Sequence, residues 1–332
     1  MSISHMQSSY KAVSNWLFFV AAMVLAMAVI GAITRLTESG LSMVEWRPLI
    51  GTLPPMTDAE WQRVFDLYRE TPEYQKKNFG LEISEFKQIF FWEWFHRLWG
   101  RLIGLAYALP LAYFWVRKKI PEGYKGKLSL GLILGASQAV MGWYMVESGL
   151  VDRPSVSHFR LAAHLSLAFI IYAYLLWLTF DIRGNTATNG TFCQKRHGWS
   201  AAIILAITII WGAYVAGLDA GLVYNSWPKM GPHWIPPEIN SLMSIFTDPV
   251  AVQFIHRWLA IIAAFFILTF AWRVKSFALA GMIFIQIGLG IATLMTQVHI
   301  HLAATHQFGA FILVGLMVYH MHRLRRAKSC SI

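Results

Sequence analysis

Eight stretches of this 332-residue chain can cross a lipid bilayer as helices, and nothing else constrains its fold as tightly. The hydrocarbon core of a bilayer takes roughly 20 apolar residues per helical span. Trp16–Ile33, Leu128–Val146, Trp199–Leu218 and Ser276–Val298 meet that need without a single charge. Leu161–Phe180 and Leu302–Tyr319 meet it with one histidine each. Phe90–Val116 and Val250–Trp272 meet it once a few ionisable residues near one end are allowed. Lipid offers no partner for free backbone groups, so such spans must be helices or closed barrels. The expected fold is therefore an all-α integral membrane protein of eight transmembrane helices. Charged residues make up only 14% of the chain, against about 25% in soluble domains.

The net charge of +11 is sorted by side. With the N-terminus taken as cytoplasmic, the inner segments hold fifteen Lys and Arg against only Glu122 and Asp181. The outer loops hold fourteen acids and eight bases. This is the positive-inside pattern. It places both termini in the cytoplasm and makes the basic excess a topology signal, so nucleic acid is not an expected partner. The first apolar run is long enough to span and shows no cleavage site, so it reads as a span and not as a leader. Cys193 and Cys330 both fall on the inner side and are expected to stay reduced.

The second half of the chain echoes the first. Span one ends in residues 31–41, Gly-Ala-Ile-Thr-Arg-Leu-Thr-Glu-Ser-Gly-Leu, and span five in residues 212–222, Gly-Ala-Tyr-Val-Ala-Gly-Leu-Asp-Ala-Gly-Leu. Trp46 and Pro48 follow the first, Trp227 and Pro228 the second. His96-Arg97 near the start of span two matches His256-Arg257 in span six. Gln138 and Gly142 match Gln286 and Gly290, and His164 matches His306. Each half has an even number of spans, so both share one orientation and should form two pseudo-symmetric four-helix bundles about an axis near the membrane normal. The expected units are residues 15–182, an inner linker 183–198, and residues 199–322. Within the long outer loop 36–91, Thr57 to Glu60 reads as a capping box. The apolar face Trp61, Val64, Phe65 and Tyr68 then predicts an amphipathic helix that covers the bundle end or closes over a site.

His96, His164, His256 and His306 lie one per even-numbered span, each within about two turns of the span's outer end. A lone histidine in a span is commonly an interhelical hydrogen-bonder. A matched pair duplicated at one depth points instead to ligation of a metal or a haem iron from facing helices. Zinc wants closer clusters with Cys, Asp or Glu, and the small residues Gly100, Gly104, Ala162, Ala163, Ala303, Ala304 and Gly309 would leave room for a flat macrocycle. Arg97 and Arg257 suit either a haem propionate or snorkelling to the interface. Glu93 stands three residues before His96, where the second half has Gln253 before His256. One half thus puts a carboxyl on the face of its histidine pair, either for proton exchange during a reaction or as a carboxylate satisfied by Arg97 or Arg101. The other half puts a neutral amide there and reads as a plain bis-histidine haem site.

Together, Glu93-x-x-His96-Arg97, the Gly-Leu segments after spans one and five and the paired histidines resemble haem A synthase over about residues 15–322. Within that family the chain looks like the branch shared by proteobacteria and mitochondria. Other members carry an outer-loop cysteine pair, which this sequence lacks, so no redox role for one carries over. The resemblance implies an oxidoreductase of the bacterial cytoplasmic membrane that acts in cytochrome oxidase biogenesis. Successive hydroxylations would oxidise the C8 methyl of haem O to a formyl group. It implies resident haem b on His256 and His306, substrate haem between His96 and His164, and proton handling by Glu93. A haem O synthase and an unidentified electron donor or acceptor are the partners it suggests, besides membrane lipid. A bis-histidine dihaem cytochrome passing electrons from quinol is the alternative, and a transporter with parallel repeats is a further one.

Overall fold

The computed structural model describes residues 3–45, 50–151, 154–184, 190–239 and 244–325. Trp46, Pro48, Arg326, Lys328, Cys330 and the middle of the expected inner linker lie outside the described residues. The long helices are α1 (Ile3–Leu36), α4 (Ile83–Val116), α5 (Lys125–Val151), α6 (His158–Ile182), α7 (Phe192–Gly217), α9 (Pro249–Arg273), α10 (Phe277–Met295) and α11 (Ile300–Arg323). Short α2 (Asp58–Arg69) and α3 (Pro72–Lys76) join α1 to α4, and α8 (Ser244–Thr247) precedes α9. Seven of the long helices are long and apolar enough to cross a membrane. The exception is α4, whose stretch from Ile83 to Arg101 carries Glu85, Lys87, Glu93, Arg97 and Arg101.

α4 starts earlier than its expected span. Glu82 and Glu85 form a reciprocal capping box there, so the helix nucleates seven residues ahead of Phe90. His96 consequently lies roughly 20 Å along α4 from its first residue. His164, His256 and His306 each fall within about two turns of their helix starts, as the spacing predicts.

α1 and α5 each pack against both α4 and α6, and α7 and α10 each pack against both α9 and α11. α6 packs on α7 and α11, and α1 on α11. One apolar cluster runs through Leu17, Val20, Leu111, Leu128 and Leu175, another through Leu205, Ile267, Phe270, Leu279 and Leu313. Phe169 of α6 and Phe311 of α11 stack within the first cluster with centroids 3.8 Å apart, joining α11 to it. Polar ties add to this seam. Arg35 donates to the Ala216 carbonyl and to Asp219, both at 2.8 Å, and Gln307 donates to the Ala28 carbonyl at 2.6 Å. Large apolar side chains such as Leu109, Ile133, Phe265 and Phe284 face outward, a surface suited to acyl chains.

The segment between α1 and α4 is a folded cap. Thr57 caps α2 by accepting from the Glu60 amide at 3.3 Å. Phe65 and Tyr68 are buried against Phe86 and Phe90 of α4, with Trp61 and Val64 packed alongside. This is the amphipathic face read from the sequence. The cap also buries Glu73, which accepts from the Tyr68 hydroxyl at 3.1 Å, while Asn78 donates to the same hydroxyl at 2.7 Å.

Burial pushes the Glu73 carboxyl up to about 8, against the stabilising hydrogen bond from Tyr68; the charges of Glu93 and Glu38 add to the push and Lys77 opposes it. The folded cap therefore binds a proton that the unfolded chain has released. Its stability is full at low pH and declines as pH rises from the ordinary carboxylate range to about 8. Amide exchange corrected for its intrinsic pH dependence should show the protection of residues 65–78 falling between pH 5 and 8. Glu73→Gln should abolish that slope, and an unchanged slope would remove Glu73 as its source.

Candidate functional site

Each of the four histidines rests against a glycine of the preceding long helix. A Cβ at Gly31 of α1 would stand 3.5 Å from His96 Cε1, and one at Gly142 of α5 would stand 3.2 Å from His164 Cε1. At Gly212 of α7 the distance to His256 Cε1 would be 3.1 Å, and at Gly290 of α10 the distance to His306 Cε1 would be 3.0 Å. A side chain at Gly142, Gly212 or Gly290 would press on the imidazole, whereas at Gly31 it would come into ordinary contact with it. Gln138 donates to the His164 carbonyl at 3.2 Å and Gln286 to the His306 carbonyl at 2.9 Å. His96 on α4 and His164 on α6 stand on helices that both pack against α1 and α5, and His256 on α9 and His306 on α11 stand on helices that both pack against α7 and α10. The pairs are therefore set one per half, on helices that face across the packing of each half.

Among the described residues no three His, Cys, Asp or Glu side chains gather as a metal-ion site. Two imidazoles without a third ligand would suit a haem iron better than a zinc ion. His256 Nδ1 and His306 Nδ1 are buried with no hydrogen-bond partner, which costs about 1–3 kcal/mol each.

Glu93 is buried on α4 and fully engaged. Its Oε2 accepts from the Ser42 hydroxyl at 2.8 Å and from the Met43 amide at 2.7 Å. Its Oε1 pairs with Arg97 at 2.5 Å. Arg97 also donates to the carbonyls of Met43 at 2.9 Å and Glu45 at 3.3 Å. The second half repeats the clasp. Arg257 donates to the Tyr224 and Ser226 carbonyls, both at 2.8 Å, and Gln253 donates to Tyr224 at 3.0 Å. Counted from Gly31 and Gly212, Tyr224 is the counterpart of Met43 and Ser226 of Glu45. The two arginines thus tie down the loops that follow α1 and α7, a use that neither propionate pairing nor snorkelling anticipates.

Of the small residues expected to leave room, Ala162 and Ala304 are buried, and Gly309 lies against Gln286 and Met282, so these three serve helix packing. Gly104 has open space around it and Ala163 is exposed. Sequence reasoning missed Ser42. Its signal was available: by the same count its counterpart is Val223, so Ser–Glu in one half becomes Val–Gln in the other. It also missed Gly31 and Gly212 as histidine seats, although they head the repeated segments.

If the Ser42 hydroxyl serves Glu93, Ser42→Val should lower stability by about 1–3 kcal/mol, the range for a hydrogen bond to a buried charge. The loss should shrink in a Glu93→Gln background, where the acceptor oxygen carries no charge, and be repaired by Ser42→Thr. Thermal unfolding of the four proteins of the double-mutant cycle measures this. Additive losses would show that the hydroxyl acts elsewhere.

Residues 14–318 match the COX15-CtaA family, described as cytochrome oxidase assembly proteins. A haem A synthase of Rhodospirillum centenum is 46% identical, over 95% of this chain and 89% of its own. One from Nitrosospira multiformis is 43% identical, over 95% of this chain and 94% of its own. One from Flavobacterium johnsoniae is 40% identical, over 97% of this chain and 100% of its own. With paired histidines on facing helices and a family match over nearly its whole length, the chain belongs to the COX15-CtaA family of cytochrome oxidase assembly proteins.

Proposed function

We propose that the chain is a haem A synthase, an oxidoreductase that converts the C8 methyl of its substrate haem O to the formyl group of haem A. The observation that carries this reading is the duplicated histidine pair, seated on glycines in both halves, with a carboxyl in one half only. The family and the named relatives agree with it.

In this reading α4 is the eighth span, and residues 15–182 and 199–322 are the two related bundles joined by the linker 183–198. The stack of Phe169 on Phe311 supports an axis between them, because the two residues stand equally far past His164 and His306. The basic ends of the helices face the cytoplasm, and the membrane is the bacterial cytoplasmic one. His256 and His306 would hold haem b, and Arg257 ties down the loop that follows α7 in the same half. Bound there, haem b would supply one-electron redox chemistry. His96 and His164 orient substrate haem O under the loop that Arg97 ties down. Ser42 and Met43 fix Glu93 Oε2 and Arg97 pairs with Oε1, and the carboxyl oriented in this way is the group that handles the proton. A haem O synthase delivers the substrate through lipid, and an electron donor or acceptor completes the balance. A dihaem relay from quinol would have no use for the Ser42–Glu93 difference between halves. Cells lacking the protein should accumulate haem O without haem A; unchanged haem A would favour the relay.

His256→Ala and His306→Ala should each lose the resident haem, as read by pyridine haemochrome on purified protein. Full retention in both would overturn the ligand assignment. Glu93→Gln should keep the fold and the resident haem, because Gln253 already occupies the matching place. Haem A formation should fall about a hundredfold or more, with haem O or a hydroxylated intermediate accumulating on extraction. Normal haem A at equal protein level would return Glu93 to a purely structural ion pair.

A further inference from the structure

Three buried donors of the C-terminal half reach no acceptor: Trp211 Nε1 on α7, Arg257 Nε on α9 and Thr293 Oγ1 on α10. Each stands by the histidine pair. Trp211 precedes Gly212, the seat of His256, and lies three residues past Thr208, whose hydroxyl reaches the Leu259 carbonyl of α9 at 3.3 Å. Positions three and four apart share a helix face, so Trp211 belongs to the side of α7 that meets α9. Thr293 is three residues past Gly290, the seat of His306, and seven past Gln286, which holds the His306 carbonyl at 2.9 Å. Arg257 follows His256 itself. Its Nη1 and Nη2 are engaged by the Ser226 and Tyr224 carbonyls, both at 2.8 Å, which leaves Nε.

Helix packing does not explain the set. Trp211 lays its ring against Tyr214 and Phe246, each with centroids 5.6 Å apart, and a phenylalanine would pack there as well. A threonine in a helix ordinarily returns its hydroxyl to the preceding turn. Thr296 does so, bonding the Ala292 carbonyl at 2.7 Å, and Thr293 does not. The two halves also differ here. The pairing of Gly31 with Gly212 makes Ile30 the counterpart of Trp211, and that of Gly142 with Gly290 makes Met145 the counterpart of Thr293. The N-terminal half fills both places with apolar side chains. Burying a donor without an acceptor is costly, and an indole or guanidinium N–H can only donate. Such a set calls for an acceptor, and an ionised one makes the strongest bond. A haem carries two carboxylate side chains.

We infer that Trp211, Arg257 and Thr293 are the donors that hold the carboxylates of the haem bound by His256 and His306. The inference rests on the reading of the C-terminal half as the resident-haem site. It gives residence a physical cause. A haem gripped by its carboxylates as well as its iron stays, whereas one between His96 and His164 has Ile30 and Met145 at the matching places and is free to leave as product.

The test uses the full-length chain, purified in detergent from cells starved of haem. The reference chain carries His96→Ala, so that one bis-histidine site remains. Haem b and its dimethyl ester, in which both carboxylates are masked, are titrated separately, and binding is read from the bis-histidine absorption band. The reference chain should bind haem b about tenfold or more tightly than the ester, the scale of one charge-assisted hydrogen bond. Adding Trp211→Phe and Thr293→Val keeps the shapes and removes two donors. Haem b affinity should then fall about tenfold or more, while the unchanged ester affinity reports an intact pocket. Thr296→Val, at a hydroxyl outside the set, should keep the preference of the reference chain. Equal affinities of the reference chain for haem b and the ester overturn the inference and leave the resident-haem reading standing. So does a donor-free variant that binds both ligands more weakly to the same degree, because that loss is structural. No bis-histidine band with either ligand, in the reference chain and in the wild type, overturns that reading and the inference with it.

Discussion

A polar group inside a membrane helix has to find its partner within the protein, because hydrocarbon offers none, and most of this chain is arranged around that demand. Thr34 returns its hydroxyl to the Ile30 carbonyl and Thr179 to that of Leu175. Trp16 reaches the Ala106 carbonyl and Tyr107 that of Leu128, so that even large side chains bond across helices. Against this background the unsatisfied atoms are informative. His256 Nδ1, His306 Nδ1, Gln253 Oε1 and Gln286 Oε1 in one half and Gln138 Oε1 in the other are buried without partners, each at or beside one of the four histidines. Orphans of this kind are tolerated where function needs them.

The internal duplication supplies its own control. Both halves seat their histidines on glycines, hold a histidine carbonyl with a glutamine, and clasp a loop with an arginine. Features shared by both halves belong to a common framework of helices and imidazoles. Features that differ are the ones to ask about chemistry. The buried Ser42–Glu93 contact exists in one half only, and its two members change together to Val223 and Gln253. A framework role would have kept one member in both halves.

Much of this was legible before any coordinates. Seven of the eight expected spans match helices apolar enough to cross a membrane, because apolar runs of that length have few other solutions. The four histidines stood out because ionisable residues inside spans are rare. The amphipathic face of α2 followed from its period. What could not be read was set by partners distant in sequence. Arg97 and Arg257 reach carbonyls more than twenty residues away, and no local pattern says which loop will fold over them. Ser42 looked like an ordinary loop residue until α4 brought Glu93 beside it. The early start of α4 turned on the Glu82–Glu85 box, which charge alone disguised as loop.

Arg35 carries a last consequence. Its guanidinium bonds the carbonyl of Ala216, and by the count that pairs Gly31 with Gly212, Ala216 is its own counterpart. A residue that meets its counterpart lies where the two halves turn into each other. In a dimer of identical chains that place would hold the same residue twice, and two guanidiniums there would repel. Arginine facing alanine is open only to halves whose sequences can differ, so the middle of the molecule can hold a one-sided contact that exact symmetry would forbid.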